Sequence, residues 1–135
     1  MGGRMKRHDW AARLYDVIEA HAERTFVWGS DDCCLFVARG IDAMRDSEIE
    51  AGLRDLYTDE RSAMKLIASH GGLAGAVSAV LGEMQQVRAV RGDAVLIDGG
   101  DGDALGICLG PQVVAMGPSG LRMVPRSEIR GVWPQ

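Results

Sequence analysis

Apolar residues in the first half of the chain recur at the three- and four-residue intervals typical of amphipathic helices. The acidic segment 48–57 interrupts this pattern, and we expect a connection there with a short turn of helix. Ala38 and Gly40 are small enough to let their helix pack closely against a neighbouring layer. The pattern predicts four helices: one behind the cap His8-Asp9 that runs to about Glu23, one at 33–45, one capped by Thr58, and one at 73–81 ended by Gly82.

From Val87 onward the pattern changes to short β-rich runs bounded by glycine, proline and aspartate. The segments 109–112 and 117–120 have the composition of hairpin turns. Helices followed by strands are typical of α+β folds. We therefore expect an α+β fold in which N-terminal helices pack on a small C-terminal antiparallel sheet. Its strands are predicted at 94–97, 104–109, 112–116, 121–124 and 129–133.

Composition indicates one compact domain over residues 1–135, with disorder expected only at residues 1–8. A chain of 135 residues that is 47% hydrophobic can bury one core. The formal net charge of −4 and the scattered basic residues argue against nucleic-acid binding. No apolar run reaches the roughly 18 residues that a membrane span requires. The polar N-terminus does not resemble a signal peptide, so we expect synthesis in the cytoplasm.

The clearest candidate for chemistry is Cys33, which stands where a polar loop passes into the second helix. Asp32 is a plausible N-cap, and this places Cys33 in the first helical turn. Backbone N–H groups and the helix dipole there favour the thiolate, which is the nucleophilic form of cysteine. The structural alternative is that Cys33 and Cys34 are small apolar residues filling a tight turn.

The cysteine pattern predicts no metal site and no disulfide framework. The chain has three cysteines, an odd number, and they form neither a CxxC pair nor a Cys/His ligand spacing. Cys108 lies in an apolar run and is expected to be a core residue. We expect no cofactor.

Two segments resemble the NlpC/P60 cysteine peptidases, papain-like enzymes that cleave peptide bonds in bacterial cell walls. In that family an aromatic residue and glycine precede Asp-Cys and an apolar helix. The segment 91–97 is similar to the Gly-Asp turn and first core strand of the family, and 104–110 is similar to its second strand. The order and spacing agree roughly from Trp10 to Trp133. The residues that match the nucleophile motif are Trp28, Gly29, Asp32, Cys33 and Phe36.

The resemblance fails at the general base. In the family the second strand opens with the catalytic histidine, and this chain has Ala104 there. The polar residue that orients the histidine falls on Val114 or Ala115. Removing one member of such a catalytic unit lowers the rate by orders of magnitude.

The remaining histidines and two carboxylates are the candidate substitutes for the base. His8 and His21 are expected near the ends of the first helix in solvated capping roles. His70, at a helix end beside two glycines, is a weak candidate base. Asp101 and Asp103 flank the empty position, although their glycine-rich surroundings indicate a turn.

Three functional hypotheses follow. The first, implied by the resemblance to small NlpC/P60-like proteins of phage tail modules, is a degenerate peptidase fold that serves in a bacteriophage or prophage tail tip. Its partners would be other tail-tip or hub proteins, and its location the virion tail. The second is an active peptidoglycan peptidase that uses Cys33. The third is a non-enzymatic cytoplasmic interaction domain in which the cysteines are structural.

Overall fold

The computed structural model describes residues 5–100 and 102–135 and shows an α+β fold. Five helices are followed by a five-stranded antiparallel sheet. The helices are α1 Trp10–Ala20, α2 Cys33–Arg45, α3 Ile49–Arg54, α4 Glu60–Ser69 and α5 Leu73–Leu81. The strands are β1 Ala94–Asp98, β2 Asp103–Cys108, β3 Gln112–Gly117, β4 Gly120–Pro125 and β5 Ile129–Trp133, with a 3-10 turn at Arg126–Glu128 before β5.

Two local predictions in the helical half need correction, and a third, the short helical turn in the acidic connection, is confirmed. The first helix ends at Ala20 rather than near Glu23. The cap of α4 is Asp59 rather than Thr58, because the Asp59 carboxylate accepts the Ser62 N–H and the Ser62 hydroxyl in turn accepts the Asp59 N–H. The acidic connection contains the six-residue helix α3.

The start of α3 is held by a side chain from α2. The Asp42 carboxylate accepts the backbone N–H groups of Ile49, at 2.9 Å, and Glu50, at 3.0 Å. These are first-turn N–H groups without partners inside α3. A cap supplied by another helix explains why the local sequence gave only a weak signal for α3.

The sheet has the strand order β4-β3-β2-β1-β5, with antiparallel pairing between neighbours. A register shift interrupts the pairing of β1 with β5 between Leu96 and Ile97. The predicted strands are all present, with ends that differ by one residue or less.

The main core lies between the helices and one face of the sheet, and α2 is its centre. Phe36, Val37 and Ile41 of α2 are at most 1% exposed. A Cβ built on Gly40 would lie 2.6 Å from Ile107 Cδ1, so glycine lets α2 approach β2 closely, as the sequence predicted. The other face of the sheet has a second buried cluster, formed by Ala89, Val95, Ile97, Cys108, Val113, Ala115 and Val132.

The N-terminal segment contacts α2 where it is described. The Arg7 N–H donates to the Met44 carbonyl at 2.8 Å. Residues 1–4 of the segment for which disorder was predicted lie outside the described residues. In the described part of the chain, no single helix has the length and hydropathy to cross a membrane; only α4 and α5 taken together, bent by 82°, meet that test.

Candidate functional site

Asp32 organises the N-terminus of α2. Its side chain is completely buried, and its two oxygens accept the backbone N–H groups of Leu35 and Gly29, each at 2.9 Å. The bond from Leu35 closes the first turn of α2 and confirms Asp32 as the predicted N-cap. The bond from Gly29 fixes the loop that leads into the helix.

Tyr57, which no motif in the sequence marks, completes this arrangement. Its hydroxyl donates to the Asp32 carboxylate, at 2.9 Å from Oδ1 and 2.8 Å from Oδ2. Burial raises the pKa of Tyr57, and the neighbouring cysteines and the Asp32 carboxylate raise it further. The phenol therefore stays protonated and acts as a hydrogen-bond donor rather than as a base.

Cys33 is the first residue of α2 and is 7% exposed. Hydrogen bonds from the Cys34 thiol and from the Leu105 backbone N–H lower the pKa of Cys33, against the opposing effect of burial. The same thiol pair raises the pKa of Cys34, together with burial. Of the two thiols, Cys33 is thus the more acidic, in agreement with its position at the helix N-terminus.

The segment of β2 next to this thiol offers only apolar side chains. Leu105 shares the main core with Cys33, whereas Ala104 packs with the second cluster on the other face of the sheet. Neither side chain can accept a proton. Val114 and Ala115, where the resemblance puts the orienting residue, are 1% exposed and also apolar.

His21 is the C-cap residue of α1, as predicted, but it is buried and hydrogen-bonded rather than solvated. It is 2% exposed, with Nδ1 at 2.8 Å from the Val17 carbonyl and Nε2 at 3.1 Å from Arg39 Nη1. Because arginine only donates, Nε2 accepts and Nδ1 carries the proton. Burial lowers the pKa of His21, and the nearby Arg24 and Arg39 charges lower it further.

Arg39 links His21 to the loop before α2 and to α3. Its guanidinium donates to the Ser30 carbonyl at 2.6 Å, to Asp31 Oδ1 at 3.1 Å and to Glu50 Oε2 at 2.7 Å. The Arg39 side chain is 13% exposed, so this cluster is partly shielded from water. The network stabilises the loop that positions Asp32 and Cys33.

His70, the candidate base, is the exposed C-cap residue of α4. Its Nδ1 lies 3.0 Å from the Leu66 carbonyl, which is the local contact expected at a helix end. His70 does line a cavity between α2, α3, α4 and α5, but the cysteine in that cavity wall is Cys34, not Cys33. We call this space, which has a volume of about 270 Å³, the α2–α5 cavity.

The other substitutes for the base are exposed or undescribed. His8 is exposed before α1 begins, and Asp103 is exposed at the start of β2. Asp101 lies outside the described residues.

Cys108 is completely buried, which confirms the prediction that it is a core residue. Among the described residues, no three histidine, cysteine or carboxylate side chains come together in a way that could hold a metal ion.

A family model described as a domain of unknown function, DUF6950, matches residues 5–134. The chain belongs to this family. The match spans both the helical half and the sheet, so Asp32, Cys33, Tyr57 and Leu105 all lie within the DUF6950 domain. A comparison with curated proteins finds no match.

Proposed function

We propose that this DUF6950 domain is a papain-like domain of the NlpC/P60 type that has lost its catalytic chemistry and serves as a structural component of a bacteriophage or prophage tail tip. The observation that carries the proposal is the environment of Cys33. The thiol stands at the N-terminus of α2 and meets the β2 backbone at Leu105, but the side chains that β2 contributes nearby are apolar.

A cysteine peptidase requires a base that first activates the thiol and later protonates the leaving amine. Both ring nitrogens of His21 are hydrogen-bonded, Nδ1 to the Val17 carbonyl and Nε2 to Arg39. His70 is hydrogen-bonded to the Leu66 carbonyl and lines the same cavity as Cys34, not Cys33. The Tyr57 hydroxyl donates to Asp32. These contacts support a domain that keeps the nucleophile position as part of its core.

The assignment to a tail tip is supported by the resemblance of the motif around Cys33 and of the segments 91–97 and 104–110. Other tail-tip or hub proteins would be the partners, and peptidoglycan would be a further contact. Val87 and Val90, which are 50% and 56% exposed in the loop before β1, offer apolar surface for such partners.

The test is to detect the protein in purified particles from the lysogen that encodes it, by mass spectrometry and by immunogold labelling of the tail. Deletion of the gene should give particles without functional tails, and a Cys33→Ser gene should restore infectivity to that of the wild type. Absence of the protein from particles would contradict the tail assignment. Loss of infectivity with Cys33→Ser, while assembly is normal, would contradict the loss of chemistry.

The lowered pKa of Cys33 favours a second candidate, an active peptidoglycan peptidase. That function predicts that the purified wild-type protein lowers the turbidity of a peptidoglycan suspension and that the Cys33→Ser variant does not. The third candidate, a cytoplasmic interaction domain, predicts a soluble protein that remains in the cell lysate and is missing from particles.

A further inference from the structure

The α2–α5 cavity is lined by side chains of four helices, by Leu105 of β2 and, from the adjoining loops, by Trp28, Leu56, Tyr57 and His70. Its floor is buried: Val37, Ile41 and Leu105 are at most 3% exposed, and Val77 is 7% exposed. Its mouth is marked by exposed residues, of which Leu56 is 49% and Val80 is 40% exposed. The cavity is therefore an apolar space with a buried floor and an exposed mouth.

The chemistry of the wall restricts what can enter. Of the described residues that line the cavity, only Trp28, Cys34, Tyr57 and His70 have a polar side-chain atom, and no carboxylate, lysine or arginine is present. The Tyr57 hydroxyl already donates its hydrogen bond to Asp32. A sugar or a phosphate would lose its hydration here without compensating hydrogen bonds. The wall matches an apolar molecule with a single polar end.

The position of His70 indicates where that polar end lies. His70 is exposed, so it stands at the mouth rather than on the floor. Because the Leu66 carbonyl can only accept, Nδ1 of the neutral ring carries the proton. Nε2 is then a hydrogen-bond acceptor, and it matches a head group that donates, such as a hydroxyl.

The volume sets the length of the apolar part. A cavity of about 150 Å³ lined by Leu, Ile and Phe holds benzene, which has six carbon atoms. The α2–α5 cavity, with a volume of about 270 Å³, is nearly twice as large and therefore has room for about ten carbon atoms. We propose that the α2–α5 cavity binds a straight-chain aliphatic alcohol of medium length, with the chain on Val37 and Val77 and the hydroxyl at His70.

The experiment is a calorimetric and NMR titration of the full chain with hexanol, octanol, decanol and dodecanol, and with decanoate at pH 8. Affinity should rise about fourfold for each added methylene group, because burial of one methylene group contributes about 0.8 kcal/mol. It should stop rising near decanol, when the cavity is full. Decanoate should bind more weakly, because a carboxylate cannot donate to Nε2.

Four variants locate the site. Ala76→Phe and Ala79→Phe fill the cavity from α5 and should reduce decanol affinity at least tenfold, whereas Ala68→Phe, on the exposed side of α4 and outside the cavity wall, should leave it unchanged. Ala79 is exposed, so its replacement keeps the test usable if Ala76→Phe fails to fold. His70→Phe should reduce decanol affinity about fivefold through loss of one hydrogen bond.

No saturable decanol binding to the wild-type chain would overturn the proposal. So would binding that Ala79→Phe leaves unchanged, or binding that Ala68→Phe weakens equally, because either result would place the alcohol elsewhere. The proposal does not depend on the tail-tip function or on the reactivity of Cys33.

Discussion

Replacement of Asp32 is the most informative perturbation of the site, because one completely buried carboxylate holds the helix start, the preceding loop and Tyr57. In Asp32→Ala the loss of the N-cap costs about 1 kcal/mol. The buried Tyr57 hydroxyl and the half-buried Gly29 N–H also lose their acceptor, and an unsatisfied buried donor costs about 1–3 kcal/mol. We therefore expect the free energy of unfolding to fall by about 4 kcal/mol.

Asp59→Ala provides the matched control. Asp59 is also an aspartate N-cap, of α4, but it is exposed and its donors can turn to water. Its replacement should cost about 1 kcal/mol. Tyr57→Phe should cost about 1–2 kcal/mol, and a double-mutant cycle with Asp32→Ala should give a coupling of about 1–2 kcal/mol.

The assay is urea unfolding followed by far-UV circular dichroism, with equal m-values required across the variants. If Asp32→Ala and Asp59→Ala destabilise the chain equally, the buried carboxylate adds nothing beyond a helix cap. The argument that Asp32 organises the site would then be refuted.

Three further predictions concern stability. Burial lowers the pKa of His21 from its ordinary value of 6.5, so on acidification the unfolded chain binds the proton before the folded chain does. The contribution of the neutral His21 to the free energy of unfolding should therefore be complete above about pH 6.5 and fall as the pH is lowered. In His21→Gln the urea midpoint should change less between pH 6.5 and pH 5 than in the wild type. Gly29→Ala should lower the free energy of unfolding by more than about 3 kcal/mol, because Gly29 has a φ of +85° and an added Cβ would lie 2.1 Å from the Thr58 carbonyl oxygen. Gly52→Ala is the control: it lies in open space on α3, and in the same unfolding assay it should stabilise the chain by about 0.5–1 kcal/mol. Gly40→Ala should lower the thermal midpoint at a cost of about 1–3 kcal/mol, because Ile107 must move; an unchanged midpoint would contradict the close packing of α2 on β2.

The sequence predicted those elements whose signals are local. The strands follow apolar runs bounded by glycine and proline, and α2 combines a capping aspartate with a helical spacing of apolar residues. The cap of α4 was placed one residue early because Thr58 and Asp59 are both good capping residues, and only the reciprocal bonds with Ser62 decide between them. Helix α3 gave a weak signal because Asp42 of α2 supplies its cap.

The site was predicted only in part for the same reason. Asp32 and Cys33 are adjacent in sequence, so the N-cap and the first turn could be recognised together. Tyr57 reaches Asp32 across 25 residues, and Arg39 reaches His21 across 18. Neither contact follows from spacing or composition. A solvated capping histidine and a buried one look alike in sequence, and only the packing of α1 against α2 shows that His21 is buried.

The most direct test of the proposed loss of chemistry is the rate of Cys33 alkylation as a function of pH. The turbidity of a suspension of purified peptidoglycan is followed in parallel after addition of the protein. Cys33→Ser and Cys34→Ser variants assign the signal. The account predicts slow modification of the buried thiol at neutral pH, a single rise in rate with pH and no loss of turbidity. Rapid alkylation near pH 7, together with hydrolysis that only Cys33→Ser abolishes, would contradict it and show that a base reaches Cys33.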